Sequence, residues 1–293
     1  MSKIVFIGGG NMASCLIGGM LANGFSSQDI TVSEPNDDSR QRMKSTHGVL
    51  TTADNLAAVS QADIVVLAVK PQIMAAVASP LEAKLKHKPI IVSIAAGIPV
   101  GALQSWLGQD LKIVRAMPNT PAMVQSGATG LFANQSLDGG QQAMIENIFS
   151  AVGYACWVGQ ESDIDAVTAV SGSGPAYFFL VYEAMLKVAQ ELGLEKQTAS
   201  QLTLHTALGA ARLAKVRAVP RPAVPTSATG PDLASRGCLE PPPSLRRSAS
   251  LPRARVGRGL RDEDALQGRD GGARRLAGRS AREAGDHRAD PRR

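Results

Sequence analysis

Residues 4–13, which read IVFIGGGNMA, decide the fold. Four apolar residues, typical of a strand buried on both faces, run into three glycines and then into a helical pattern. Gly8, Gly10 and Ala13 form the pattern Gly-x-Gly-x-x-Ala. Gly8 permits a tight turn, Gly10 lets the backbone approach a pyrophosphate, and Ala13 lets the helix pack closely on the strand. Because a helix N-terminus offers unpaired N–H groups to phosphates, the stretch predicts a dinucleotide site.

The pattern of short apolar runs and helical periods continues through the first 115 residues. It predicts strands at 3–7, 30–33, 49–51, 63–68, 89–93 and 111–115. Helices are predicted at 11–23, 37–47, 54–60, 73–86 and 99–107. Strand–helix alternation at this spacing indicates an α/β protein, with a doubly wound parallel sheet of the Rossmann type.

The rhythm changes after Pro121. Residues 127–133 and 153–158 look extended, with a helix over 140–151 between them, and are predicted to extend the sheet at one edge. Helices are then predicted at 163–170, 175–192 and 196–213. Because two or three helices are too few to form a closed core, we expect them to pack on the sheet or on another chain.

Composition divides the chain near residue 215. Residues 1–215 carry 14 Lys and Arg against 16 Asp and Glu, whereas residues 216–293 carry 17 Arg, no Lys and 9 acidic residues. The formal charge of +6 therefore belongs to the second part. That part also holds nine of the 17 prolines and has no Ile, Phe, Tyr, Trp or Met. Since it cannot bury enough apolar surface to offset its chain entropy, we expect it to be disordered.

Several classes of protein are disfavoured by what the sequence contains. The three cysteines are far apart and the four histidines form no pair or triad, so we expect neither a disulfide framework nor a metal site. The N-terminus runs straight into a strand pattern without a leader, and no apolar run looks long enough to span a membrane. These features indicate a cytoplasmic protein.

The end of the second predicted strand bears on the choice between NADH and NADPH. A carboxylate from Glu34 would accept a hydrogen bond from a ribose 2′-hydroxyl and repel a 2′-phosphate. Ser33 and Asn36 would tolerate a phosphate, and Arg40 lies one helical turn further on. Both cofactors stay open, as does the alternative that Glu34 is a solvated turn residue.

Four later motifs, together with the glycine turn, resemble the pyrroline-5-carboxylate reductase family over residues 1 to about 215. They are AVKPQ at 68–72, SIAAG at 93–97, RAMPNTP at 115–121 and AVSGSGPAY at 169–177. The resemblance implies a Rossmann domain followed by a helical dimerisation domain. It also implies hydride transfer from NADPH or NADH to the C=N carbon of 1-pyrroline-5-carboxylate, which gives L-proline. In such a family the enzyme is a dimer-based homo-oligomer.

The resemblance also implies roles for particular residues. Cofactor contacts are implied for Ile7, Gly8, Gly9, Gly10, Asn11, Met12, Ser33, Glu34, Asn55, Ala68, Val69, Lys70, Pro71, Ala95, Ala96 and Gly97. Near the substrate it implies a catalytic hydroxyl from Thr168 and contacts from Glu161 and Ser173. The family has no metal ligand to carry over.

Each implied role has a structural alternative. Lys70 could extend its side chain along a strand end. The Thr168 hydroxyl could bond back to the carbonyl one helical turn earlier, and Glu161 could favour the start of a helix. Residues 171–174 could serve helix packing rather than a ligand.

The tail departs from the family, in which the last helix is preceded by a substrate loop resembling TSPGGTT. Residues 232–238 read DLASRGC, and one encoding of them, shifted by one base, gives TSPAGGA. We therefore hypothesise a frameshift or sequence error just after Ala214, and expect weak or absent turnover and a weakened dimer interface. The predicted domains are 1–160, a dinucleotide-binding Rossmann domain; 161–215, the start of a helical dimerisation and substrate domain; and 216–293, a tail outside the family.

Three other functions stay open from sequence. Another NAD(P)-dependent reductase on the same scaffold, such as a hydroxyacid dehydrogenase or a deazaflavin-dependent reductase, would share the glycine turn. A non-catalytic or defective protein would bind a dinucleotide without turnover. Nucleic-acid binding through the tail would be salt-sensitive and non-specific, because no aromatic residues are interleaved with its arginines.

Overall fold

A computed structural model describes residues 2–218 of the chain. The missing substrate loop and most of the predicted disordered tail lie outside this range. The described residues that follow the hypothesised frameshift are the last ones of the final helix.

Eight strands in the described part of the chain form a single sheet. They are β1 (Ile4–Ile7), β2 (Ile30–Ser33), β3 (Leu50–Thr52), β4 (Ile64–Leu67), β5 (Ile90–Ser93), β6 (Ile113–Met117), β7 (Gly127–Ala133) and β8 (Gly153–Trp157). Their order is β3-β2-β1-β4-β5-β6-β7-β8. The first six are parallel, β7 is antiparallel to β6, and β8 is parallel to β7. The doubly wound Rossmann sheet and its extension at one edge are both confirmed.

The helices within the described residues follow the strands in the predicted alternation. They are α1 (Asn11–Ala22), α2 (Asp37–His47), α3 (Asn55–Val59), α4 (Met74–Ala78), α5 (Val100–Leu107), α6 (Gly139–Ser150), α7 (Asp163–Val167), α8 (Gly174–Glu191) and α9 (Lys196–Ala218). Short 3₁₀ helices lie at Ser27–Asp29, Pro71–Ile73, Ser79–Lys84 and Thr120–Val124. A π-helical segment, Thr168–Gly172, joins α7 to α8 and is called the π turn below.

Hydrophobic side chains cover both faces of the sheet. In β1, Ile4 and Phe6 pack into a core on the face covered by α1 and α6, while Val5 and Ile7 pack into a core on the face covered by α4 and α5. All four are essentially inaccessible to solvent. Each such side chain stabilises the fold by about 1.5–3 kcal/mol. Burial on both faces explains why β1 and β4 read as continuous apolar runs.

Two predicted helices differ in the structure. The single helix expected over 73–86 is a short α4 between two 3₁₀ helices, because Pro71 and Pro80 lack the N–H of a continuous helix and crowd the preceding turn. The two helices expected at 163–170 and 175–192 form one helical run, Asp163–Glu191, through the π turn.

From the sequence we expect no segment that crosses a membrane, because residues 171–174 divide this run into two shorter helices. By length and composition alone, Asp163–Glu191 is long and apolar enough to cross one, a test that the core helices of other proteins also pass. Large apolar side chains of α8 are exposed in the described chain, including Phe178 at 77% and Leu192 at 80%.

Candidate functional site

The glycine turn lies where the chain leaves β1, between β2 and β4. The backbone N–H of Gly8 donates to the carbonyl oxygen of Ser33 at 2.8 Å. Gly8 has a φ of +102°, and a Cβ atom added there would lie 2.8 Å from the carbonyl oxygen of Ala68. The tight turn therefore requires glycine for both its backbone conformation and its close packing on the end of β4.

The N-terminus of α1 has no cap from a side chain. Gly10 is the N-cap residue, with extended φ and ψ of −74° and −177°, and the first turn contains no acidic residue. The first helical bond there runs from the Ser14 N–H to the Gly10 oxygen, so the amides of residues 11–13 precede the regular ladder. No atom lies within 4 Å of a Cβ added at Gly10. Open space before uncapped amides fits a pyrophosphate.

Glu34, at the end of β2, is bonded to the glycine turn. Its Oε2 accepts from the Gly9 N–H at 2.9 Å, and its Oε1 accepts from the Asn36 N–H at 3.1 Å. The carboxylate therefore lies beside the turn, at the place where Rossmann proteins bind the adenosine ribose. Glu34 is half-buried and both of its oxygens accept from turn amides, so a role in the turn and a role toward the ribose both stay open.

The Arg40 side chain folds back onto the loop that precedes its own helix, α2. Its Nη1 donates to the Glu34 and Pro35 carbonyl oxygens at 2.6 and 2.8 Å, and its Nη2 forms an ion pair with Asp37. The guanidinium, which sequence placed near a possible 2′-phosphate, is thus occupied in holding the loop between β2 and α2.

Other predicted cofactor residues lie at the same edge of the sheet. The buried Ser33 hydroxyl donates to Asn55 Oδ1 at 2.6 Å, which ties the end of β2 to the first residue of α3. Ala68 follows β4 and donates its N–H to the Ile7 oxygen at 2.8 Å. Lys70 is exposed, with no hydrogen bond to fix its ammonium among the described residues. Gly97, after β5, has a φ of +73°.

All these segments lie at the carboxyl ends of β1, β2, β3, β4 and β5. The sheet order reverses direction between β1 and β4, since the chain continues to β2 on one side and to β5 on the other. Ligands of open α/β sheets bind in the crevice at such a switch point. The predicted cofactor residues are therefore brought together, although their contacts with a nucleotide stay a prediction.

Two of the residues predicted near the substrate flank the π turn: Thr168 is its first residue and Ser173 is its C-cap. The Thr168 hydroxyl donates to the Ile164 oxygen at 2.8 Å, which is the back-bonded alternative anticipated from sequence. The N–H of Ser173 donates to the Thr168 oxygen at 2.8 Å, a bond that spans five residues. π-helical segments occur often at functional sites, and this one lies between α7 and α8.

Glu161 forms an ion pair that the sequence did not predict. Its Oε1 accepts from Arg115 Nη1 at 2.8 Å and from the Val100 N–H, the first residue of α5, at 2.7 Å. The Arg115 side chain is 8% exposed and that of Glu161 is 33% exposed. Within the described residues both of these bonds end on Oε1 and none ends on Oε2. Arg115 stands in a motif quoted for the family resemblance, but nothing in the sequence pairs it with Glu161.

Asn119, from the same motif, is the second residue that sequence reasoning missed. It is 7% exposed, and its side chain bridges two segments. Oδ1 accepts from the Ala128 N–H at 2.8 Å, and Nδ2 donates to the Ser171 oxygen at 2.9 Å. The end of β6 is thereby bonded to both β7 and the π turn.

Two titratable side chains near α1 lie outside this crevice edge. Burial lowers the pKa of His47, whose Nε2 lies 2.8 Å from the Ser14 hydroxyl. Burial raises the pKa of the Cys15 thiol, so it is protonated near neutral pH and a poor nucleophile.

Comparisons with known proteins agree with this arrangement. Residues 3–97 match the family described as NADP oxidoreductase coenzyme F420-dependent, and residues 161–229 match the family described as pyrroline-5-carboxylate reductase dimerisation. A pyrroline-5-carboxylate reductase of Pseudomonas aeruginosa is 50% identical over 212 residues, which are 72% of this chain and 78% of that protein.

Solved structures give the same result. That of a pyrroline-5-carboxylate reductase from Coxiella burnetii has a TM-score of 0.72 and 45% identity, and the alignment covers 75% of this chain and 82% of that one. A Plasmodium falciparum pyrroline carboxylate reductase, solved with NADP bound, has a TM-score of 0.66 and 29% identity over 75% of this chain and 80% of that one.

The fold and the glycine turn define a dinucleotide-binding oxidoreductase of the Rossmann class. Its identity to named relatives over more than two thirds of their length is specific to one family. The chain belongs to the pyrroline-5-carboxylate reductase family.

Proposed function

We propose that the chain reduces 1-pyrroline-5-carboxylate to L-proline, the last step of proline biosynthesis, with NADPH or NADH as the reductant. The observation that carries the proposal is the uncapped N-terminus of α1 behind the Gly8 turn, in a chain of this family. A cytoplasmic location goes with this function, because the reaction needs a pool of reduced nicotinamide.

Several independent features of the crevice suit a nicotinamide dinucleotide. The backbone amides at the start of α1 would hold the pyrophosphate, the ribose end would lie beside Glu34, and the 95–97 loop would lie near the nicotinamide end. When bound, the nicotinamide would supply a hydride to the imine carbon and the nitrogen would hold one added proton, so that C=N becomes C–N with one new C–H bond and one new N–H bond. The chain's own residues must hold the ring and exclude water.

Thr168 is suited to one end of the substrate. Because its hydroxyl proton goes to the Ile164 oxygen, the hydroxyl oxygen can only accept a further hydrogen bond. A protonated imine N–H is a donor, whereas a carboxylate is not. We therefore assign Thr168 to the imine nitrogen. The substrate carboxylate then needs a donor elsewhere, such as the hydroxyl of Ser173, since the Ser173 N–H already donates to the Thr168 oxygen.

A test of this assignment is Thr168→Val, which keeps the shape of the side chain but loses the oxygen. We expect kcat/KM for pyrroline-5-carboxylate to fall by roughly 10- to 100-fold, because the contact that orients the imine is lost. The Kd for the nucleotide should stay unchanged. Thr206→Val is the matched control, since Thr206 makes the same back bond, to Leu202 at 2.7 Å, within α9. Unaltered kinetics in Thr168→Val would reject the assignment.

There are two competing proposals. The chain is another reductase on the same scaffold, or it binds a dinucleotide without turnover. The match over residues 3–97 supports only the cofactor half of the molecule. If the chain oxidises NADPH with an oxo acid or a deazaflavin, but not with pyrroline-5-carboxylate, it is another reductase on the same scaffold. Nucleotide binding without oxidation of NADPH by any of these would favour the second.

Self-association through α8 is the second part of the proposal. Residues 177–181 expose 56–77% of their surface, although they are aromatic or aliphatic. An apolar cavity of about 380 Å³ opens between Phe178, Phe179 and the segment containing Asn119 and Pro121. Large apolar side chains that are exposed next to one another indicate an interaction surface. The family match over this region, described as dimerisation, supports a second copy of the chain as the partner.

A further inference from the structure

Pro175 removes a hydrogen-bond donor from the helical run. In a regular helix the oxygen of Ser171 would accept from the N–H of residue 175, but proline has none. The next amide, of Ala176, donates instead to the Ser173 oxygen at 3.0 Å. The Ser171 carbonyl therefore lacks the partner that a regular helix would give it, and a half-buried carbonyl that is left without any partner costs free energy.

Asn119 supplies the missing donor from another part of the fold. Its Nδ2 donates to the Ser171 oxygen at 2.9 Å, and its Oδ1 accepts from the Ala128 N–H at 2.8 Å. The two bonds fix which end of the amide is which, since one neighbour only accepts and the other only donates. Asn119 precedes the 3₁₀ helix Thr120–Val124 but does not cap it with its side chain. Its amide is thus committed to the two bridging bonds.

The π turn also packs against a side chain of β6. A Cβ atom added at Gly172 would lie 2.8 Å from the Cε atom of Met117, the last residue of β6. The backbone of the π turn therefore lies close to the Met117 side chain. Thr168 and Ser173, the two residues assigned to the substrate, are the first residue of that turn and its C-cap.

We propose that Asn119 is a positioning residue for the substrate site, because it satisfies the carbonyl left free by Pro175 and fixes the π turn against the end of β6. The inference rests on the proposed function, in which Thr168 and Ser173 contact the substrate. Asn119 acts only through the turn and touches neither substrate nor cofactor.

The first variant is Asn119→Asp, which has the same shape and still accepts from Ala128, but places a carboxylate oxygen against the Ser171 oxygen. We expect the KM for pyrroline-5-carboxylate to rise and kcat to fall, together by roughly 10- to 100-fold in kcat/KM, since small misplacements of reacting groups have effects of this order. The nucleotide Kd should change by less than about two-fold, because the glycine turn lies elsewhere.

Pro175→Ala provides the rescue. It restores the N–H that a regular helix would bond to the Ser171 oxygen, so Asn119→Asp combined with Pro175→Ala should recover part of the lost kcat/KM, although the new carboxylate stays in place. The matched control is Asn134→Asp. Asn134 is also a half-buried amide that bridges backbone groups, with Oδ1 accepting from Ile113 N–H at 2.7 Å and Nδ2 donating to the Leu111 oxygen at 3.2 Å, but at the other end of β6. It should lower stability without changing the KM.

Hydrogen exchange in the full chain gives a readout that does not need turnover. In Asn119→Asp the Ser173 amide should exchange at least about ten-fold faster, and in the combined variant it should return toward the wild-type rate, while the amides of β1 stay unchanged. Equal effects of Asn119→Asp and Asn134→Asp on KM, or unchanged exchange at Ser173, would overturn the inference. Wild-type chain that binds nucleotide but never reduces pyrroline-5-carboxylate would instead count against the proposed function, and the exchange experiment would still decide whether Asn119 holds the turn.

Discussion

Gly8 and Gly10 lie in one turn, but the structure constrains them differently. Gly8 is held by a positive φ and by the neighbouring Ala68 carbonyl, so a side chain there disturbs the folded chain itself. Gly10 has an ordinary φ of −74° and free space around its missing side chain. We therefore attribute glycine at position 10 to the proposed nucleotide, which would come close to the backbone there, rather than to the fold.

Gly10→Ala tests that reasoning. We expect the free energy of unfolding to change by less than about 1 kcal/mol, because the methyl group meets no atom. The affinity for NADPH should fall by at least about ten-fold, since the methyl group occupies the path of the pyrophosphate. Chemical denaturation and calorimetric titration measure the two effects. Gly139→Ala, another open position at the start of α6, is the control and should leave the affinity unaltered.

Glu34 gives a second prediction at this scale, on cofactor choice. Its carboxylate lies beside the Gly9 amide, where a 2′-phosphate would meet like charge. Glu34→Gln should raise the ratio of NADPH affinity to NADH affinity by roughly ten-fold, even if both affinities fall through loss of one backbone bond. Titration with both nucleotides measures the ratio. A ratio identical to that of the wild type would show that Glu34 serves only the turn.

At the scale of elements, the pair Arg115 and Glu161 joins β6, the start of α5 and the segment before α7. The arginine is almost fully buried, so loss of its partner leaves a buried charge. Glu161→Ala should lower the free energy of unfolding by about 2–4 kcal/mol, whereas Glu161→Gln, which keeps an acceptor oxygen, should lower it by about 1 kcal/mol. Urea denaturation checks both values.

The exposed pair of Lys88 and Asp110 is the control for this prediction. Their side chains are 61% and 80% exposed, so Lys88→Ala should cost less than about 1 kcal/mol. If Glu161→Gln leaves stability near the wild type but raises the KM for pyrroline-5-carboxylate, then Oε2 contacts the substrate, as the family resemblance implies. A stability loss in Glu161→Ala no larger than in Lys88→Ala would refute the structural role.

His47 makes the packing of α1 against α2 sensitive to acid. Its ring lies against Gly18 and the Ser14 hydroxyl, and burial lowers its pKa below the ordinary value near 6.5. The unfolded chain therefore takes up a proton first as the pH falls below about 6.5, and folded stability decreases until the folded ring is protonated as well. Stability at higher pH, where both states are neutral, is unaffected by this group.

His47→Gln should remove that part of the acid sensitivity. The fall in Tm between about pH 7.5 and about pH 5.5 should be smaller in this variant than in the wild type. His205→Gln, at an exposed position in α9, should behave like the wild type. If all three proteins lose the same Tm over this range, His47 does not contribute.

Local signals explain which elements sequence predicts well. The bounds of β2, α2 and β7 agree with prediction. In α2, for example, the Asn36 side chain caps the first turn at Ser39 and Gly48 ends the helix in a left-handed conformation. The π turn could not be predicted in this way, because it depends on Asn119, which is 52 residues before Ser171. The Arg115–Glu161 pair was missed for the same reason, since only the sheet brings them together.

For the whole molecule, α8 presents an apolar face that the described chain does not cover. Phe178→Asp should shift the protein toward the monomer, because it places a charge in the centre of the proposed contact between two copies. Sedimentation at several concentrations measures the effect. Tyr154→Asp, at a comparably exposed aromatic residue of β8, should leave the assembly unchanged. A wild-type chain that is monomeric at every concentration would contradict a dimer through α8.

Nucleotide binding by the full chain tests the central claim most directly, since every proposed step depends on the amides at the start of α1. Calorimetric titration with NADPH and with NADH should give saturable binding of one nucleotide per chain by at least one of them, with a Kd in the range of about 1 μM to 1 mM that is common for enzymes. Absence of binding by both nucleotides, in a sample whose circular dichroism shows the folded sheet and helices, would contradict it.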